Sequence, residues 1–138
     1  MKKKNASSST IDTERFSVYS TIKSYPDLPY EGMKNRILGK KYELSLVFVG
    51  EKRAQKINES ARGKTYVPNV LSFPLTDTIG EIIICPKAAA KEAASFNLSV
   101  EGYIGYLCIH GLLHLKGFDH GVHMDKLEEK HKRYFKLT

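Results

Sequence analysis

The sequence predicts a single α/β domain: a small mixed four-stranded sheet packed with helices, carrying a metal site on one helix and the turn that follows it. Three observations lead there. Strand-like runs of β-branched and apolar residues alternate along the chain with helix-like segments. The 138 residues lie near the usual size of one domain, and no Gly/Ser-rich or Pro-rich linker interrupts them. Between Glu101 and Lys116 there is no formally charged side chain, yet two histidines sit there four residues apart.

Phe16–Ile22 reads as a short strand and Gly32–Leu38 as a helical segment. Leu44, Leu46 and Phe48 alternate with Ser45, Val47 and Val49, the pattern of a strand partly buried on both faces, and a helix is expected from Glu51 to Ser60. Asn69–Phe73 and Glu81–Cys85 are apolar or β-branched runs separated by Pro74 and Gly80, which predicts two more strands joined by a loop. Pro86 suits the first turn of an alanine-rich helix ending near Asn97. Ser99 is placed to cap a helix from Val100 to Lys116. A last helix, Val122–Phe135, puts Met124, Leu127, Tyr134 and Phe135 near one face as core. Residues 1–12 read as a flexible basic and polar tail, and 13–138 as the single domain that carries the metal site.

Composition narrows the function classes. Twenty-two Lys and Arg against fifteen acids give a formal net charge of +7, which suits an anionic partner such as RNA, although many small basic proteins carry only a solvated charged surface. No aromatic-rich RNA-recognition signature is present, so RNA shape, single-strandedness or a partner protein would supply specificity. The two cysteines, Cys85 and Cys108, lie in apolar contexts, which predicts reduced thiols in a cytoplasmic protein rather than a disulfide framework. Lys2–Lys4 precede the polar stretch Asn5–Thr10 and not an apolar run, so the start does not read as a secretory signal, and no segment has the length of a membrane span.

The chemistry concentrates in the run His110-Gly-Leu-Leu-His114-Leu-Lys-Gly-Phe-Asp-His120, which holds three of the five histidines. A four-residue spacing on a helix puts His110 and His114 one turn apart on the same face, so both can reach one ion. Gly117 can take the left-handed conformation that ends a helix, bringing His120 back toward the same point. Three imidazoles with an open fourth position are the ligand set of catalytic zinc, whereas structural zinc takes four protein ligands. A lone histidine in such a segment is more often a hydrogen-bonded core residue; three at this spacing in an uncharged stretch point to one bound ion.

This run resembles the signature of the YbeY family of metal-dependent endoribonucleases, also called ribosomal RNA maturation factors. Asn58-Glu-Ser-Ala-Arg62-Gly-Lys, followed by Asn69-Val-Leu-Ser-Phe-Pro74, is similar to that family's upstream block with its arginine, and Gly80–Cys85 falls where the family has a further matching stretch. The likeness runs from about Tyr42 to Tyr134. Pro68 stands where the family usually has threonine, and the acidic residues that commonly follow the third histidine are missing after His120. The resemblance implies a zinc-dependent single-strand endoribonuclease, maturation of the 3' end of the small-subunit ribosomal RNA, a part in ribosome quality control, and ribosomal particles or proteins as partners.

The expected ligands are therefore His110, His114 and His120, with one zinc ion per chain, and the catalytic candidates are Arg62 and His114. Arg62 is expected in a loop after a helix, reaching across a cleft to stabilise charge at phosphorus; taken without the resemblance it reads as a surface salt bridge. Asp119 either orients a ligand histidine or caps its own turn. Asn69 and Ser72 are expected to line the cleft, Ser72 without a base to make it a nucleophile. His123 is the only substitute ligand, and His131 is read as a helix-surface residue. The histidine spacing also resembles the metzincin proteases, but the residue after the first histidine is Gly111, which cannot be their glutamate general base. A metalloprotease and a non-catalytic ribosome-assembly factor with a structural metal remain the alternatives.

Overall fold

The computed structural model describes residues 3–5 and 11–138, with side chains from Thr13 onward. Short strands β1 (Lys3–Asn5) and β2 (Ile11–Thr13) precede β3 (Phe16–Ser20) and β4 (Ser24–Pro26). Then follow α1 (Tyr30–Leu38), β5 (Glu43–Phe48), α2 (Glu51–Arg62), β6 (Val70–Pro74) and β7 (Ile79–Ile84). The chain ends with α3 (Pro86–Ala90), a 3₁₀ turn (Ala93–Phe96), α4 (Val100–Lys116) and α5 (Val122–Tyr134).

The four expected strands make up a mixed sheet, which β2 extends at one edge to the order β2-β3-β5-β7-β6. The central pairs β3/β5 and β5/β7 are parallel, while the outer pairs β2/β3 and β6/β7 are antiparallel. β1 pairs with β4 in a separate two-stranded ribbon, so residues 3–5 and 11–12 of the expected tail take strand form; residues 1–2 and 6–10 lie outside the described residues. Alternation along the strands sends side chains to two cores. Leu44, Leu46, Phe48, Ile82 and Ile84 join α1 and α4 on one face, and Leu71, Ile83 and Cys85 pack with Ala54 of α2 on the other. Cys85 and Cys108 are buried free thiols.

α4 runs through the larger core and is apolar on nearly every side, as a central helix must be. Ser99 caps it: the hydroxyl accepts from the Gly102 amide at 3.0 Å and donates to the Thr138 carbonyl at 2.7 Å. Ser99→Ala is expected to lower unfolding stability by about 1 kcal/mol, seen as a lower urea midpoint at unchanged slope. At Gly111 α4 lies close against the sheet. A Cβ there would meet Ser72 Oγ at 2.9 Å and Ile82 Cδ1 at 3.1 Å.

Two expected elements differ. The alanine-rich helix stops at Ala90 and resumes as the 3₁₀ turn, where a helix continued to Asn97 would run about 18 Å in one direction. The break folds Phe96 back onto Tyr103, ring centroids 4.8 Å apart, and Asn97 takes a left-handed φ of 57° that turns the chain into Ser99. In α5, Met124 is buried and Leu127 and Phe135 pack on the core as expected, but Tyr134 is exposed and lies under the Arg36 guanidinium at 3.5 Å. Among the described residues no helix is long and apolar enough to cross a membrane.

Candidate metal centre

The end of α4 builds the site. Gly117, at φ 109°, closes the helix with its amide on the His114 carbonyl at 2.9 Å and the Phe118 amide on the Leu113 carbonyl at 3.1 Å, the paired bonds of a Schellman turn. The same turn carries Phe118 round so that its carbonyl accepts from His114 Nδ1 at 3.0 Å, and it brings His120 back to the helix. The ring centroid of His120 lies 5.1 Å from that of His110 and 4.7 Å from that of His114. One ring nitrogen from each of the three histidines falls within 4.8 Å of the others, so the cluster can hold a metal ion.

The hydrogen bonds decide which nitrogens face inward. A carbonyl only accepts, so His114 Nδ1 carries its proton; His110 Nδ1 gives its proton to the Glu128 carboxylate in a short contact. Both Nε2 atoms are then bare, and they face each other at 3.1 Å. Two lone pairs at that distance repel unless a proton or a cation lies between them. Burial, with His110 and His120 adding to it, holds the His114 imidazole below its ordinary pKa, which disfavours the proton. Nitrogens bound to one zinc at about 2.0–2.1 Å in tetrahedral geometry stand roughly 3.3 Å apart, so the pair fits such an ion.

Glu128 is the functional residue the sequence reading missed. It is 3% exposed, and besides His110 it accepts from Tyr106 Oη at 2.8 Å. Burial raises its pKa, but the hydrogen bonds from His110 and Tyr106 outweigh this and hold the carboxyl below the usual value. A carboxylate behind a ligand histidine fixes its tautomer and raises its basicity. Asp119, given this role as one option, is exposed and makes no hydrogen bond to the cluster. A signal for Glu128 did exist: Met124, Glu128 and His131 are the buried residues of α5, so an acid stands on the stripe that faces the protein.

His131 is likewise not on the surface. It is 8% exposed, and its Nδ1 accepts from Arg36 Nε at 3.3 Å. His123 is exposed, its ring edge-on to Phe118, and it is not part of the cluster.

Arg62 is the last residue of α2 and not part of the following loop. Its Nη1 donates to Asn58 Oδ1 and to Tyr66 Oη, each at 3.0 Å, and no hydrogen bond or ion pair joins it to the histidines. β6 and the residue before it contact the helix that carries His110 and His114. Asn69 Nδ2 donates to Tyr103 Oη of α4 at 3.3 Å, and Ser72 Oγ donates to the Gly111 carbonyl at 3.2 Å, next to His110. Gly111 itself faces Ser72 and Ile82, so a side chain there would enter the sheet contact.

Comparison with known proteins shows the family. The family model described as "Endoribonuclease YbeY" matches residues 5–136. Curated relatives carry the same description. The one from Bdellovibrio bacteriovorus is 44% identical over 80 residues, 56% of this chain and 53% of the relative. Finegoldia magna has one 41% identical over 98 residues, 66% and 64%, and Mesoplasma florum one 33% identical over 123 residues, 78% and 73%. The chain thus spans little more than half the length of the first of these and nearly three-quarters of the last. Among solved structures, the solution structure of TM1509 from Thermotoga maritima superposes with a TM-score of 0.57 at 30% identity, covering 75% of this chain and 73% of that one. With nearly all of its described residues inside the family match and its three histidines gathered at the end of α4, this chain belongs to the YbeY family.

Proposed function

We propose that this protein is a zinc-dependent single-strand endoribonuclease, acting in the cytoplasm on ribosomal RNA precursors at the 3' end of the small-subunit RNA and in ribosome quality control. The observation that carries the metal-dependent part is the pair of bare Nε2 atoms facing each other at 3.1 Å, with a third imidazole beside them. His110, His114 and His120 hold the ion, and His120, exposed, stands on its solvent side. Bound there, zinc would polarise a scissile phosphate and lower the pKa of coordinated water. Glu128 and the Phe118 carbonyl keep two of the imidazoles in the tautomer that binds metal. Arg62 uses one nitrogen to hold its place against Asn58 and Tyr66, which leaves Nε and Nη2 for the nonbridging oxygens of a phosphate. RNA as substrate, and ribosomal particles or proteins as partners, rest on the family membership, with the net charge of +7 in support.

The test measures metal content and RNA cleavage on one preparation. Wild type is expected to hold about one zinc per chain and to cut single-stranded RNA, and His114→Ala to lose both. Arg62→Ala is expected to keep the metal and cut about 100- to 1,000-fold more slowly, the usual loss for one charge-stabilising donor. If zinc binds and neither single-stranded RNA nor ribosomal precursors are cut, the protein is an assembly factor with a structural metal.

A further inference from the structure

Beside Arg62, and apart from the histidines, a cavity of about 340 Å³ opens among residues of α2, α3 and the segment leading into β6. Tyr66 lines it and is 54% exposed, yet its ring is held in place. Its hydroxyl accepts from Arg62 Nη1 at 3.0 Å, and its carbonyl accepts from Asn58 Nδ2 at 3.0 Å. Asn58 is fully buried and also accepts from Arg62 at 3.0 Å, so a core residue anchors both ends of the arrangement. A large ring left to solvent but fixed beforehand is a stacking surface with little ordering still to lose.

The charges in the cavity select the ligand. Two carboxylates, Glu51 and Glu92, face one ammonium, Lys91. Lys91 and Lys87 both pair with Glu51, at 2.9 and 3.8 Å, so among the described residues Glu92 is the lining carboxylate without a cation, and what it can take is a group that donates hydrogen bonds. Glu92 Oε2 accepts from Asn69 Nδ2 at 2.6 Å, while Oε1 has no donor among the described residues. A flat neutral group that stacks on a phenol and gives N–H bonds to a carboxylate is a nucleobase with an amino group. Guanine offers two adjacent donors, adenine and cytosine an exocyclic amine; uracil has one N–H between two carbonyls, which a carboxylate repels. The cavity also lies on the way to the metal centre. Asn69 touches Tyr103, and from Tyr103 to His110 α4 rises about 10 Å, within reach of a neighbouring nucleotide of the same strand.

We propose that this cavity is a nucleobase subsite, in which Tyr66 stacks on an unpaired base near the cleaved bond and Glu92 accepts from its amino group, favouring amino-bearing bases over uracil. The assignment rests on the ribonuclease reading above and gives Arg62 a second task, that of positioning Tyr66.

The chain has no tryptophan, so Tyr66→Trp makes a single reporter in the full-length, zinc-loaded protein. Hexa-adenylate and hexa-uridylate serve as probes, with binding followed by indole emission in that variant and by anisotropy in the others, and cleavage recorded in parallel. Hexa-adenylate should quench the indole. Tyr66→Ala should bind it about ten-fold more weakly, and Tyr66→Phe, which keeps the ring but loses the hydroxyl that Arg62 holds, should fall between Tyr66→Ala and wild type. Glu92→Gln, which adds a donor, should narrow the preference for hexa-adenylate over hexa-uridylate. Unchanged affinity in Tyr66→Ala with unmoved indole emission overturns the subsite and leaves the ribonuclease reading standing. An unchanged base preference in Glu92→Gln overturns the assignment of that carboxylate. Wild type that binds neither probe overturns the subsite; if it also cuts neither the probes nor ribosomal precursors, the ribonuclease reading falls with it.

Discussion

Glu128→Gln is expected to weaken zinc affinity about 10- to 100-fold while the fold persists, measured by competition with a chromophoric chelator. Glutamine keeps the shape and an oxygen that can accept from His110 Nδ1, while its NH2 reaches Tyr106 Oη as a donor, so the half-buried phenol must turn its proton elsewhere but the histidine keeps its partner. What disappears is the negative charge behind the imidazole, which makes Nε2 a stronger donor to metal and locks the tautomer. Affinity equal to wild type would reduce Glu128 to a buried packing group. Glu128→Ala is the less informative change, because it also opens a cavity and removes the partner of a half-buried phenol.

The second large effect is expected at Gly111, where the metzincin pattern has its glutamate base. Gly111→Glu is expected to destabilise the protein by more than about 3 kcal/mol, and not to confer peptidase activity on a zinc-loaded sample. At this position the Cβ is aimed at Ser72 and Ile82, closer than ordinary packing allows, so α4 would have to lift from the sheet. The added carboxylate would be buried in that contact without a partner. Native domains are stable by only about 5–15 kcal/mol, so a large part of the stability is at stake, read as a drop in the urea midpoint. Casein hydrolysis abolished by chelator would revive the protease alternative. The glycine thus reflects how closely helix and sheet approach, independent of any chemistry at the metal.

Much of the site was legible because its rules are local. Spacing on one helix, a glycine at the helix end and a third histidine within the next turn are read from neighbours in the chain, and α4 begins and ends at the expected residues. The strands were legible from alternation over a few residues, as in Leu44, Leu46 and Phe48. Boundaries were missed where a distant partner decides them. Phe96 leaves the alanine-rich helix to stack on Tyr103 of α4.

The sequence by itself determined the α/β alternation, the helix of His110 and His114 with its cap and its closing turn, and the three histidines that converge, since each follows from backbone preference and periodicity within a few residues. Only the tertiary structure decided the roles of Glu128, His131 and Tyr66. Glu128 meets His110 because α5 packs on α4; His131 is buried against Arg36 of α1; and Tyr66 becomes a fixed exposed ring because the buried Asn58 and Arg62 hold it. A side chain's partner across the fold sets its protonation, burial and freedom, and no pattern of neighbours along the chain carries that information.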